Sequence, residues 1–318
     1  MKILVTGGLG FIGHNVVHRL EQLGHEVVIV DNKTNYGIIS KNEIKYLMNE
    51  RQKKIRLPLT YQYDITDKSN MEWLFSTYKF DTVIHMASFP RQKVVNSNPV
   101  LGSRAMSEGL LNLLETSKKF NIKKFVYVSS SMVYGDFNDD VKEDAICNPQ
   151  GQYGIMKLAG EWLVKDYSRR GCFNHTIIRP SAVYGPLDVE DRVVAKFMVT
   201  AMQGNVINVN GMNEALDFTY VDDIADGIVS ASTSENTNNK TYNITRSRSR
   251  TLLEAAELVI KIVGKGSINI RDRDYDYPSR GSLNIDNARK DFEFDPKVDI
   301  EEGFQLYYDW LKTSEFYK

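Results

Sequence analysis

The chain has little of what builds disulfide scaffolds, metal centres or electrostatic binding faces. Among 318 residues there are two cysteines, Cys147 and Cys172, far apart and without metal-ligand spacing. That excludes a disulfide framework and reads as reduced thiols in a cytoplasmic protein. Five histidines form no cluster, so no metal is expected; His85, inside the apolar stretch VIHMAS, reads as a core histidine. The 40 basic and 41 acidic residues leave a net charge of −1. No field then points toward nucleic acid or an anionic membrane, and a small-molecule partner is expected. No apolar run approaches the roughly 20 residues of a membrane span. The first residues already read as a strand rather than a signal peptide. There is no internal repeat, and the polar spacer STSENTNNK is too short to separate independent domains.

What is present is an alternation. Strand-like runs at Ile3–Thr6, Glu26–Val30, Leu59–Tyr63, Thr82–Met86, Lys124–Ser129 and Thr176–Ile178 are separated by helical periodicity. This predicts an α/β fold with a parallel, doubly wound sheet. The segment KNEIKYLMNERQKK reads as an exposed amphipathic helix whose charges form a solvated face. Beyond Pro180 come shorter elements, including VINVN, VDDIADGIVSA and TLLEAAELVIKIVG. The expected division is residues 1–179 for the nucleotide-binding domain and 180–318 for a smaller lobe over the substrate, with some segments returning to the nucleotide-binding domain.

The first strand runs into TGGLGFIG, with Gly7, Gly8, Gly10 and Gly13. Glycines allow a sharp turn and close approach to a pyrophosphate, whose charge rests on the N-terminus of the helix that Phe11 and Ile12 begin. Asp31 ends the second strand, where a carboxylate bonds ribose hydroxyls and repels a 2′-phosphate. The motif in this context predicts NAD.

Tyr153 and Lys157, four residues apart in QYGIMKLAGEW, share one helix face. Alone, they are an ordinary surface pair. Upstream, however, KFVYVSSSMVYG puts Ser129, Ser130 and Ser131 at the end of a buried strand, where open parallel sheets bind ligands. A neighbouring ammonium and a cationic nicotinamide favour phenolate, so Tyr153 is the expected proton carrier, with Ser130 sharing its hydrogen bond.

TGGLGFIG, Asp31, YDITD, VIHMAS, SSSMVYG, the Tyr153 and Lys157 pair, RPSAVYGP and DFTYVDDIADGI together resemble an extended short-chain dehydrogenase/reductase of the NAD-dependent epimerase/dehydratase family. The likeness runs from Met1 to about Trp310. It implies a Rossmann-type domain, a nucleotide-sugar lobe, tightly held NAD and a homodimer through helices around Pro99–Lys119 and Gln150–Arg169. It places Asn32, Asp64 and Ile65 near the adenosine, Met86, Ala87, Ser88 and Ser129 along the cofactor, and Lys157 on the nicotinamide ribose. Read from the residues alone, Asp64 is equally a helix cap.

Relatives that dehydrate or decarboxylate carry acids where this chain has Ser131 and Met132, and a 3,5-epimerase has a cysteine at the place of Met132. The resemblance therefore implies inversion at C4 of a nucleotide-linked hexose through Ser130, Tyr153 and Lys157. Net oxidation or reduction of a sugar carbinol is the alternative, and a non-catalytic NAD sensor a third. Ala182, Leu216 and Met106 replace an asparagine, an arginine and an asparagine usual in such epimerases. The phosphate and sugar contacts are expected instead from Arg91, Arg192 and Arg280, with Ser130 and Ser131.

Overall fold

The computed structural model describes residues 1–317 except 36, 38, 57, 58 and 90. Its centre is a seven-stranded sheet formed by β1 (Lys2–Thr6), β2 (Glu26–Val30), β3 (Leu59–Tyr61), β4 (Thr82–His85), β5 (Lys124–Val128), β6 (Asn174–Pro180) and β7 (Lys240–Ile244). The order is β7-β6-β5-β4-β1-β2-β3 and every pairing is parallel. The order in which successive strands are added reverses between β1 and β4, so a crevice opens beyond their carboxyl ends, where such sheets bind ligands.

Apolar side chains on successive strand residues go to opposite faces. Ile3, Val5 and Ile29 pack with Val16, Val17 and Leu20 of the helix Gly13–Gln22 and with Ile224 and Ile228 of Val221–Thr233. Leu4, Val28 and Val30 pack on the other side with Leu110, Leu113 and Leu114 of Gly109–Lys119 and Val164 of Gly151–Arg169. A separate core joins the helices Val193–Met202, Leu252–Val263 and Ile300–Thr313 to three short strand pairs. Leu252–Val263 shows how locally such a helix is specified. Thr251 and Glu254 form a reciprocal capping box, and Gly264 ends the helix at φ +81°.

Two expectations change. The strand β7 falls in KTYNI, which has too little apolar alternation to stand out; its partner β6 makes it a strand. The helix Lys41–Lys54 is not merely a solvated face, because Glu43 and Arg51 are both buried. Arg51 donates to the carbonyls of Leu187 and Leu9, while Glu43 accepts from the Glu190 amide and the Tyr317 hydroxyl. Tertiary partners 42 to 274 residues away override the local charge pattern. No helix among the described residues is long and apolar enough to cross a membrane.

Candidate active site

The cleft beyond β1 and β4 is built first from backbone. Gly7 sits at φ +72°, and a methyl group there would lie 2.8 Å from the Ala87 nitrogen. At Gly13 it would lie 2.1 Å from the Gly7 carbonyl oxygen, so the turn closes only without side chains. Gly10 differs: an added carbon would meet only Gly7 O, at 3.0 Å, and Gly10 lines the cleft beside Phe11, Ile12 and Gly13. The helix that follows starts without a side-chain cap, leaving its positive end to the cleft.

Asp31 is fixed at the rim. Its two oxygens accept the Leu9 amide at 3.0 Å and the Lys33 amide at 2.8 Å. Burial pushes its pKa up, and those two bonds pull back. Asn32 donates to Asp64 at 2.9 Å, and Asp64 also accepts from the amide and hydroxyl of Thr66. Burial would raise the Asp64 carboxyl, but these donors outweigh it and hold it below the usual range. The helix Lys68–Tyr78 is capped by Asp67, so Asp64 is left to the cleft, where it stands with Asn32, Ile65, Met86, Ala87 and Ser88.

At the other end, the uncapped start of Gly151–Arg169 brings Tyr153 and Lys157 to the same cleft as Ser129 and Ser130. Ser130 stands close enough to Tyr153 to favour its ionised form, and it accepts the Met132 amide at 3.2 Å. Lys157 donates to the Val128 carbonyl at 2.8 Å and lies 5.8 Å from the centre of the Tyr153 ring. Burial pushes its pKa down to about 8, against the opposing pull of Glu161. Burial also raises the Tyr153 phenol, and the charge that pulls it back is Arg192, followed by the hydroxyl of Ser130. The sequence points to the Lys157 ammonium for that task; it stays near the ring while bonded to the Val128 carbonyl, and Arg192 adds a second positive charge that favours phenolate.

Ser129 is mainly a brace. Its hydroxyl donates to Glu161 at 2.6 Å, and Glu161 takes both branches of Arg179, at 2.9 and 2.7 Å. Met106 is buried in an apolar cluster against which Tyr153 packs, so it supports the ring rather than a ligand. Tyr153 is thus held between that cluster and Ser130. His85 is a satisfied core residue as expected, bonded to Thr6 Oγ1 at 2.7 Å.

Of the residues expected at the sugar, Ser130, Arg91 and Arg192 line the cleft. Ser131 and Arg280 do not. Ser131 opens a short 3₁₀ turn, and its hydroxyl points to Ser181 at 3.2 Å. Arg280 packs on Met132 Sδ at 3.8 Å. Its chain is docked onto residues 136–139, through Ser279 on Asp136 and Phe137 and through the tight fit of Gly281 against Asn138. Burial brings its pKa down to about 10. Ala182 lines the cleft, whereas Leu216 is in the core opposite Arg250, whose guanidinium is taken by Glu301 and Glu254.

Arg91 begins the helix Gln92–Ser97 at φ +70°, directly after position 90, which is outside the described residues. It pairs with Asp191 at 2.8 Å, and Arg192 stands 3.7 Å from Asp188. Sequence reasoning misses Arg51 and Asp188 altogether, although both are buried and line the cleft. The signal is present only as excess: Arg51 lies on the inward side of its helix, and Asp188 two residues after Pro186.

Known proteins share this fold. A model of the NAD dependent epimerase/dehydratase family matches residues 3–245. Protein CapI of Staphylococcus aureus is 30% identical over 100% of both chains. The crystal structure of UDP-glucuronic acid 4-epimerase from Bacillus cereus, in complex with UDP-glucuronic acid and NAD, has a TM-score of 0.90 at 26% identity, over 98% of this chain and 99% of that one. UDP-glucose 4-epimerase from Thermotoga maritima, with UDP-glucose, has a TM-score of 0.87 at 28% identity over the same shares. With its parallel sheet, glycine turn and paired Tyr153 and Lys157, the chain belongs to the NAD-dependent epimerase/dehydratase family.

Proposed function

We propose that the protein inverts C4 of a nucleotide-linked hexose by removing and restoring hydrogen at one carbinol. The observation that carries this is the Tyr153 and Ser130 pair, held in the same cleft as the glycine turn and Asp31. The residues present fit NAD: Gly10 leaves room for close approach, the helix end at Ile12 is uncapped, and Asp31 keeps one lone pair per oxygen for ribose hydroxyls. Bound there, NAD supplies a hydride acceptor that can give the hydride back.

The chain's own residues handle the proton. Tyr153 takes the proton of the sugar 4-hydroxyl and later returns it, which requires the phenol to ionise in a buried place. Arg192 and Ser130 stabilise that charge. Lys157, bonded to the Val128 carbonyl, keeps an ammonium beneath the ring and a donor for a ribose hydroxyl. Arg91 and Arg192 stand at the sugar end, and Asp64 and Ile65 flank the adenine.

The Bacillus and Thermotoga relatives support this reading, and their names suggest UDP as the nucleotide. The test is to incubate purified protein with UDP-glucose and no added cofactor. Appearance of the 4-epimer is expected. Turnover only on adding stoichiometric NAD or NADH would instead make it a net oxidoreductase.

A homodimer in the cytoplasm completes the proposal. Ile155 and Trp162 on Gly151–Arg169, with Val100, Leu101 and Leu111 nearby in sequence to the second helix, stay exposed on the single chain. Such a set of large apolar groups suits a helix-paired interface. The two half-buried free thiols suit a reducing compartment.

A further inference from the structure

Arg51 joins two loops that come from opposite ends of the cleft. It is 3% exposed, on the helix Lys41–Lys54, and lines the cleft wall. Nη1 donates to the Leu9 carbonyl at 3.3 Å, inside the glycine turn, while Nε and Nη2 donate to the Leu187 carbonyl at 3.2 and 2.7 Å. Leu9 is held from its other side too, because its amide donates to Asp31. A guanidinium is planar and its donors have fixed directions, so setting Nη1 on Leu9 also sets where the edge formed by Nε and Nη2 points.

The far carbonyl belongs to a strained residue. Leu187 is buried at φ +70°, a left-handed conformation that a leucine keeps only where its surroundings impose it. The residues that follow take their places from it. The Asp188 amide donates to the Gly185 carbonyl at 3.2 Å, and the Glu190 amide donates to Glu43 at 2.7 Å. Asp191 then pairs with Arg91, and Arg192 brings the positive charge that opposes the effect of burial on the Tyr153 phenol. The helix Lys41–Lys54 thus grips residues 187–190 at two points, through Glu43 and Arg51, and the Arg51 grip continues to the glycine turn.

We propose that Arg51 is a positioning residue that passes order from the cofactor seat to the opposite wall of the cleft. When the glycine turn is loaded with NAD, Leu9 is fixed, its carbonyl orients the guanidinium, and the guanidinium holds Leu187 in its left-handed conformation. Residues 187–192 are then steadied, and Arg192 with them. Linkage makes the effect reciprocal, so a ligand that steadies residues 187–192 also tightens the hold on NAD. That this ligand is a sugar rests on the nucleotide-sugar reading given above; the tether itself does not.

The experiment is amide hydrogen exchange, read by mass spectrometry on peptides covering Leu9 and residues 187–192. It compares NAD-loaded with cofactor-stripped protein, for the native chain and for Arg51→Lys. In the native chain NAD should slow exchange at least about fivefold in both peptides. In Arg51→Lys, whose ammonium cannot span both carbonyls, NAD should still slow the Leu9 peptide but leave residues 187–192 within about twofold. Arg51→Met, with the same expectation, serves if Arg51→Lys does not fold. Protection confined to the Leu9 peptide in the native chain overturns the proposal. Protection of residues 187–192 that survives the loss of Arg51 does so too, since the cofactor would then steady them without the tether. No sugar is present, so the two ideas fail separately. Shared protection in an enzyme that never epimerises UDP-glucose sinks the epimerase and leaves the tether, whereas epimerisation without shared protection does the reverse.

Discussion

The two ends of the cleft are made in different ways. At the cofactor end the shape is backbone: a glycine turn, an uncapped helix and a carboxylate held by main-chain amides, with Leu9 and Asp31 only 22 residues apart. At the end proposed for the sugar the walls are half-buried charged side chains in pairs, and Arg91 meets Asp191 across 100 residues. The first kind of site tolerates few residue types, because a Cβ at Gly13 would strike the Gly7 carbonyl. The second kind can be rebuilt with other pairs while the fold stays the same, which lets one scaffold serve different sugars.

The comparison can be broken or sharpened by substitution. The largest effect is expected where the two ends meet. Tyr153→Phe should lower the 4-epimerisation rate by about 10³-fold while NAD still copurifies, since the change removes only the proposed proton carrier. Rate and bound cofactor measured on one preparation decide it, and loss of the NAD as well would show that the ends are not separable. Asp31→Asn should act at one end alone. We expect NAD affinity to fall by about 10- to 100-fold, the value of one or two hydrogen bonds to a charged acceptor, with saturating NAD restoring turnover.

A smaller effect should come from pH. Lys157 is brought down to about 8 by burial, so its ammonium population falls as pH rises through about 8. Rates at saturating substrate should decline across that interval; a flat profile to pH 10 would mean that the ammonium is not required. The smallest effect is expected at Ser131. Its hydroxyl faces Ser181 and not the cleft, so Ser131→Ala should leave turnover and KM within about threefold, the range of a single neutral hydrogen bond. A larger loss in KM would move Ser131 back to the sugar.

Legibility in the sequence follows the same divide. Six of the seven strands stand out as apolar runs, and, Gly8 apart, every residue that the motifs assign to the cofactor lines the cleft. Glycine spacing, strand ends and the four-residue step from Tyr153 to Lys157 are short-range, and a chain carries such information openly. Arg280 shows why the rest is harder. Its neighbours in sequence give a charge in a loop, but what fixes it is the docking of residues 279–281 on residues 136–139. Arg51 makes the same point in reverse, since a run of lysines and glutamates hides one arginine whose bonds go to Leu9 and Leu187. Spacing finds Lys157, but its neighbour Val128 decides where its proton points.

The seventh strand carries a consequence for how the chain is made. Lys240–Ile244 closes the sheet alongside β6, although the chain has by then already passed through much of the second core. A ribosome that has released the first 180 residues has therefore produced a sheet with β6 as an open edge, a ready template for pairing with other chains. That edge is sealed only when about sixty more residues have emerged. The two lobes are thus interleaved in synthesis as well as in space, and a fragment ending at Pro180 is a hazard to itself rather than a smaller nucleotide-binding protein.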